Sequence, residues 1–272
     1  MRKLKVSLLL VNSLFFSLLF ISCKVASKES NSIIVSGSSS VAPLMFKLAE
    51  RFEDVNTNFR VTVETSDSTV GVSDTINGNN DIGMASRNLK ENEISELDGY
   101  LLCQDGIVIV VNKDSEIKQI SEEELYNLYI NDTAIGSISK AISREDGSGT
   151  RSAFTDLTLI GKEIPLPASV EILDSTGKVK TAVNSDSSKL GYISLGSVDD
   201  TIKTLLYRAK SQNQYFEPSV ENIKNDNYKL YRPFYIFTKK GKAISEGTKE
   251  FLAFISGDIG KQIIEESGYV AN

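Results

Sequence analysis

The chain has 272 residues, 40% of them hydrophobic and 24% charged, so it can bury a sizeable core and falls in the ordinary globular range. A formal net charge of -6 excludes the broad basic surface that tracks a nucleic-acid backbone. Histidine is absent, which removes Ser-His-Asp and Cys-His catalysis and most transition-metal sites, and leaves binding, with no metal and no cofactor, as the expectation.

In chain order, Arg2, Lys3 and Lys5 precede an apolar stretch from Val6 to Ile21 that is interrupted by serines and an asparagine, the pattern of a signal segment over residues 1–22. It is short for a membrane span. It closes on Phe20-Ile21-Ser22-Cys23, which resembles a bacterial lipobox with Phe20 in the usual leucine place, so Cys23 is the expected lipidation site. Residues 23–31 then read as the lipidated cysteine and a polar tether, holding a domain outside the cytosol. With Cys23 modified, Cys103 has no disulfide partner, and its place before an apolar run predicts a small buried hydrophobe.

Short β-rich runs alternate with helical patterns, which is α/β patterning. Ser32 to Val35 reads as a strand, Leu44, Leu48, Ala49, Phe52 and Val55 as one helical face, and Phe59 to Val63 as a strand. Gly106 to Val111 has the continuous apolar character of a buried central strand. Ser121 with Glu124 forms a capping box before a helix. Arg232 to Thr238 is a late strand, followed by one helix through Phe251, Leu252, Ile255, Ile259 and Ile263. These returns predict one lobe from 32–111 plus 233–272, a second from 112–232, and hinge strands near Val111 and Tyr231.

Three turns place Ser, Thr or Gly between a strand and a helix, where unpaired N–H groups and the helix dipole favour an anion. The first is Ser36-Gly37-Ser38-Ser39-Ser40-Val41-Ala42-Pro43 and the second Ser66-Asp67-Ser68-Thr69-Val70-Gly71. The third, Arg144-Glu145-Asp146-Gly147-Ser148-Gly149-Thr150-Arg151, is the most specific. Its Gly-Ser-Gly turn exposes N–H groups, Arg144 offers a planar fork for a tetrahedral oxyanion, and Asp146 is placed to hold that fork. A nucleotide P-loop is excluded because neither Gly37 nor Gly149 is followed by lysine. Ser86 and Arg87, after the short run Asp81 to Ala85, add a fourth candidate contact.

The ordered set of motifs, with Asp105-Gly106-Ile107, Gly191-Tyr192-Ile193 and Tyr231-Arg232-Pro233 added, resembles the phosphate-binding proteins of the high-affinity bacterial phosphate ABC importer. That resemblance implies a two-lobe type II periplasmic binding protein fold, each lobe a mixed sheet flanked by helices and joined by two hinge strands. It implies a monomer that binds inorganic phosphate between lobes and delivers it to ABC importer permease subunits, tethered by its lipid to the periplasmic face of the cytoplasmic membrane. The implied ligand positions are Ser39, Ser40, Val41 through its N–H, Ser68, Arg87, Arg144, Ser148, Gly149 and Thr150. Ser38, Asp67, Ser86 and Asp146 stand beside them as supporting positions, Asp146 as the brace of Arg144.

Two departures bear on selectivity: Ser40 replaces a common Thr, and Asp67-Ser68-Thr69 replaces a common Gly-Ser-Gly. Some relatives carry an Asp at the position of Arg87, where a carboxylate can accept the proton of hydrogen phosphate, and others carry Ser-Arg as here. Discrimination against sulfate would then fall to Asp67 or a hydroxyl lone pair. A binding protein for sulfate, molybdate or tungstate is the rival within this class. An enzyme acting on phosphate esters through Ser148 is disfavoured because it has no histidine base and no carboxylate cluster for two metals. An adhesion or signalling lipoprotein is a third alternative.

Overall fold

A computed structural model describes residues 31–161 and 165–272. The expected signal segment, Cys23 and the tether up to residue 30 lie outside the described residues.

Strand β1 (Ser32–Ser38) pairs in parallel with β2 (Arg60–Ser66) on one side and with β3 (Ile82–Ala85) on the other. Parallel neighbours need crossover connections, supplied by α1 (Ala42–Val55) and α2 (Ser68–Asn77). Helix α1 has Pro43 in its first turn and buries Leu44, Met45, Leu48, Ala49 and Phe52 along one face. Each large side chain so removed from water contributes about 1.5–3 kcal/mol. Phe52 anchors this layer, its ring centroid 5.9 Å from that of Phe59 and 4.9 Å from that of Phe251. Helix α2 ends where Gly78 adopts the left-handed conformation at φ 78.

After a single turn, α3 (Glu91–Ile94), comes β4 (Leu97–Asn112), far longer than its apolar run alone predicts. The chain continues through β5 (Gln119–Ser121), α4 (Glu122–Ile130), β6 (Lys140–Arg144), α5 (Gly149–Leu157), β7 (Glu171–Leu173), α6 (Thr176–Ser185) and β8 (Lys189–Ser194). Then follow β9 (Ile202–Thr204), β10 (Leu206–Arg208), α7 (Val220–Lys224), β11 (Tyr231–Lys239), α8 (Glu246–Ser256), α9 (Asp258–Glu266) and β12 (Val270–Ala271). The late apolar run makes two helices rather than one, because Gly257 turns extended at ψ 174, ending α8 and capping α9. The break lets Ile255 and Ile264 both reach the core.

The main sheet runs β2-β1-β3-β11-β4-β8-β6-β7. Its partners exchange within β4: Leu97 to Gly106 pairs antiparallel with β11, whereas Ile107 to Val111 pairs with β8. The hydrophobic clusters divide at the same place. One gathers Ile33, Leu48, Phe52, Met84, Cys103, Phe234 and Phe251, and the other Ile107, Ile109, Leu125, Tyr129, Phe154, Tyr192 and Tyr228. Cys103 is fully buried, and burial, with the Asp105 charge adding to it, pushes its thiol well above the usual range. At the exchange point Arg232 donates to Asp105 Oδ2 from Nε at 3.2 Å and from Nη2 at 3.0 Å, while the Ser194 hydroxyl donates to Oδ1 at 2.7 Å. Burial raises the Asp105 carboxyl to about 6, with the Arg232 charge and the Ser194 hydrogen bond opposing it.

Candidate functional site

Why the turns converge follows from the parallel pairing. Strands β1, β2 and β3 end at the same edge, so the turn after β1 and the start of α2 lie side by side. Close approach is possible because Gly37, at φ 134, has no side chain: a Cβ there would stand 2.3 Å from the Met84 carbonyl oxygen. Strand β6 aims its own end, Arg144 and the turn to α5, at that edge from the other half of the sheet.

The hydroxyls meet there. Ser40 Oγ shares hydrogen bonds with Thr150 Oγ1 at 2.9 Å and Thr176 Oγ1 at 3.0 Å, joining residues 110 and 136 positions apart. Arg144 Nη2 donates to Ser39 Oγ at 3.2 Å and Nη1 to Thr176 Oγ1 at 3.4 Å. On the α2 side, Ser38 Oγ donates to Ser86 Oγ at 2.9 Å, and Ser86 N–H donates to Ser68 Oγ at 3.1 Å. Gly149 packs against both of these serines: an added Cβ would lie 2.2 Å from Ser68 Oγ and 2.8 Å from Ser86 Oγ. Ser38, Ser40, Ser68, Ser86, Arg144, Ser148, Thr150 and Thr176 are all buried. Hydroxyls both donate and accept, so such a cluster can satisfy an oxyanion's lone pairs and also the proton of a protonated one.

Arg144 is held differently from the sequence expectation. Glu145, not Asp146, forks the guanidinium, accepting from Nε and Nη2 at 2.8 Å each. Asp146 pairs instead with Arg151, and its side chain is 94% exposed. The reason is local: Glu145 directly continues the strand end, whereas the chain has turned outward by Asp146, opposite a residue in the first turn of α5. Tyr192 supports the same strand end, its hydroxyl accepting from Arg144 N–H at 3.3 Å and sharing a hydrogen bond with Ser143 Oγ at 2.8 Å.

Ser148 is the N-cap of α5, accepting from Arg151 N–H at 3.3 Å, and the first N–H groups of that helix, at Gly149 and Thr150, have no intrahelical acceptor. Val41 N–H donates to the Ser38 carbonyl at 3.0 Å, closing a turn. Asp67 is the N-cap of α2, its Oδ1 accepting from Val70 N–H at 2.8 Å.

Arg87 is not drawn into the hydroxyl cluster by these bonds. Nη1 donates to Glu93 Oε2 at 2.7 Å and to the Asn88 carbonyl at 2.9 Å, and Nη2 donates to Glu93 Oε1 at 2.8 Å. Burial works to raise the Glu93 carboxyl, but hydrogen bonds from Arg87 and Lys90 N–H, with their charges, bring it below its ordinary value. These bonds use three of the five guanidinium N–H donors.

Sequence reasoning missed Thr176. It opens α6 just after the cap Ser175, which accepts from Lys178 N–H. The signal was present: Asp174-Ser175-Thr176-Gly177 again places hydroxyls and glycine between a strand and a helix. The three-residue β7 before it is too short to show in a periodicity reading. Among the described residues no group of three or more acidic or cysteine side chains could hold a metal ion.

The PBP superfamily domain matches residues 24–258. The phosphate-binding protein of Bacillus subtilis is 29% identical over 260 residues, covering 92% of this chain and 83% of its own length. Among solved structures, a phosphate ABC transporter substrate-binding protein from Clostridium perfringens with bound phosphate superposes with a TM-score of 0.81 at 29% identity, covering 89% of this chain and 99% of its own. An ABC-type phosphate transport receptor from Vibrio cholerae is 33% identical with a TM-score of 0.68, covering 89% of this chain and all of its own. With a shared fold, a matching domain over most of its length and a hydroxyl-rich site where two halves of the sheet meet, this chain belongs to the PBP superfamily, among the phosphate-binding proteins of ABC importers.

Proposed function

We propose that this chain binds inorganic phosphate in the Ser–Thr–Arg cluster between two lobes and delivers it to an ABC importer from outside the cytosol. The observation that carries the reading is the meeting of Ser39 and Ser40 with Arg144, Thr150 and Thr176, buried hydroxyls and one guanidinium from opposite halves of the sheet. The phosphate bound in the Clostridium perfringens relative supports the choice of ligand. The partner exchange at Gly106 and Ile107, opposite Tyr231 and Ser194, supports lobes of 31–106 plus 231–272 and of 107–230. That moves the first hinge a few residues ahead of Val111.

The site so proposed consists of Ser38, Ser39, Ser40, Ser68, Ser86, Arg144, Ser148, Gly149, Thr150 and Thr176, with Val41 shaping the first turn and Glu145 bracing Arg144. Arg87 acts as a structural partner of Glu93, and Asp67 as a cap. The chain acts by binding and not by catalysis: Ser148 serves as a helix cap, and no histidine exists to activate it. Lipidation at Cys23 would tether a monomer to the membrane. No helix among the described residues is long and apolar enough to cross one.

Calorimetric titration with phosphate, arsenate, sulfate and molybdate tests the reading. Phosphate and arsenate are expected to bind and to compete with each other, and sulfate to fail as a competitor. Tighter binding of sulfate or molybdate than of phosphate would transfer the assignment to the rival oxyanion.

A further inference from the structure

Thr69 lies one residue past the buried Ser68 at the start of α2, and is itself exposed. Its N–H is among those a helix start leaves without an intrahelical acceptor, and it donates to the Gly147 carbonyl at 3.3 Å. The Thr69 hydroxyl donates to the same oxygen at 3.1 Å, across 78 positions of sequence. Beside this contact the Asp67 carboxylate lies flat on Gly147. A Cβ at Gly147 would come 2.4 to 2.7 Å from the three atoms of that carboxyl group. Gly147 has no left-handed φ, so what glycine supplies here is room for this approach: any side chain at 147 would push the Asp67 carboxylate aside.

The two sides of the contact belong to different cores. Helix α2 packs through Val72 against Ala85, Leu97 and Phe237, whereas the turn carrying Gly147 joins β6 to α5, whose Ala141 and Phe154 belong to the second large cluster. The bonds from Ser39 and Ser40 across this divide all end on groups of the proposed anion site. The Thr69 pair does not. We infer that Thr69 and Gly147 form a closure latch, which holds the lobes together without touching the anion and sets how long a bound anion stays. The inference rests on the two-lobe reading given above. Asp67 keeps Thr69 in place by capping α2, and a side chain at Gly147 would have to displace its carboxylate.

The test measures dissociation of radiolabelled phosphate after an unlabelled chase, association at low phosphate, and the radius of gyration in phosphate-free buffer, for wild type, Thr69→Val, Thr69→Ser and Gly147→Ala. Thr69→Val keeps the shape and removes the hydroxyl donor. It is expected to speed dissociation roughly 2- to 12-fold, the range that one net hydrogen bond supplies, with association unchanged within about twofold by the same reasoning on late-forming contacts. Thr69→Ser should keep the wild-type rate; Gly147→Ala should speed dissociation in the same direction as Thr69→Val, and Asp67→Ser in that background should recover part of that change by making room while keeping a cap. A purely structural role would lower the unfolding midpoint without dividing the two rates. Unchanged dissociation in Thr69→Val, or a loss not rescued by Thr69→Ser, overturns the latch. If wild type binds no phosphate, the ligand reading fails separately. The latch is then decided by scattering, where a radius for Thr69→Val no larger than that of wild type overturns it.

Discussion

Replacing Arg144 with alanine tests the site most directly. The residue is 2% exposed, so its charge acts in a medium of low dielectric. Two of its nitrogens already face the cluster, Nη1 toward Thr176 and Nη2 toward Ser39. Hydrogen bonds to a charged partner contribute about 1.5–3 kcal/mol each. Two such bonds to a phosphate make about 3–6 kcal/mol, a loss of roughly 10²- to 10⁴-fold in affinity at 1.4 kcal/mol per factor of ten. The fold should survive, because Glu145, the partner left behind, has a side chain 20% exposed and can be hydrated. A cost of about 1–2 kcal/mol corresponds to a fall of roughly 2–8 °C in the unfolding midpoint for a chain of this size. Calorimetry with phosphate and thermal unfolding by circular dichroism read the two effects separately. Arg144→Lys, which keeps the charge and loses the fork, should fall between alanine and wild type. A folded Arg144→Ala protein whose affinity lies within threefold of wild type would refute the assignment.

Thr176→Val should weaken phosphate binding by roughly 10- to 100-fold if its hydroxyl donates to the charged ligand, with Thr176→Ser recovering most of it; calorimetry reads both, and equal affinities would remove Thr176 from the site. Glu93 and Arg87 form a pair with side chains 6% exposed, and Glu93→Gln is expected to cost about 3 kcal/mol at pH 7, as breaking a buried pair does. Because the folded Glu93 carboxyl lies below its ordinary 4.5, this stabilisation is present above that value and is lost as pH falls through the folded one. The gap between wild type and Glu93→Gln in denaturant unfolding should therefore narrow as pH falls below 4.5, and a pH-independent gap would contradict it. Cys23→Ser should abolish incorporation of radiolabelled palmitate in cells and move the protein to the soluble fraction; a variant that stays in the membrane fraction argues against the lipobox.

Much of the fold was legible locally, since the features that declare it are short-range. The faces of α1 and the capping box of Ser121 and Glu124 each depend on residues within a few positions. The strand–turn–helix junctions at Ser39 and Ser40, at Ser68 and at Ser148 to Thr150 were visible for the same reason: helix starts carry their own residue preferences. Late strand β11 was readable because its apolar run is continuous.

What those local features meet is set by long-range contacts. Nothing in the order Arg144-Glu145-Asp146 says which carboxylate turns inward; the direction of the chain after β6 gave that role to Glu145 and left Asp146 to Arg151. Arg87 and Glu93 are six positions apart with a turn between them, and only the fold shows the guanidinium paired with that carboxylate. Thr176 reaches Ser40 across 136 positions, and β4 changes partners at Gly106, where no residue type marks a boundary. The residues alone marked which strand-to-helix turns leave N–H groups unpaired, because a helix start is a local property; their convergence at one edge depends on sheet order, which contacts between distant strands set.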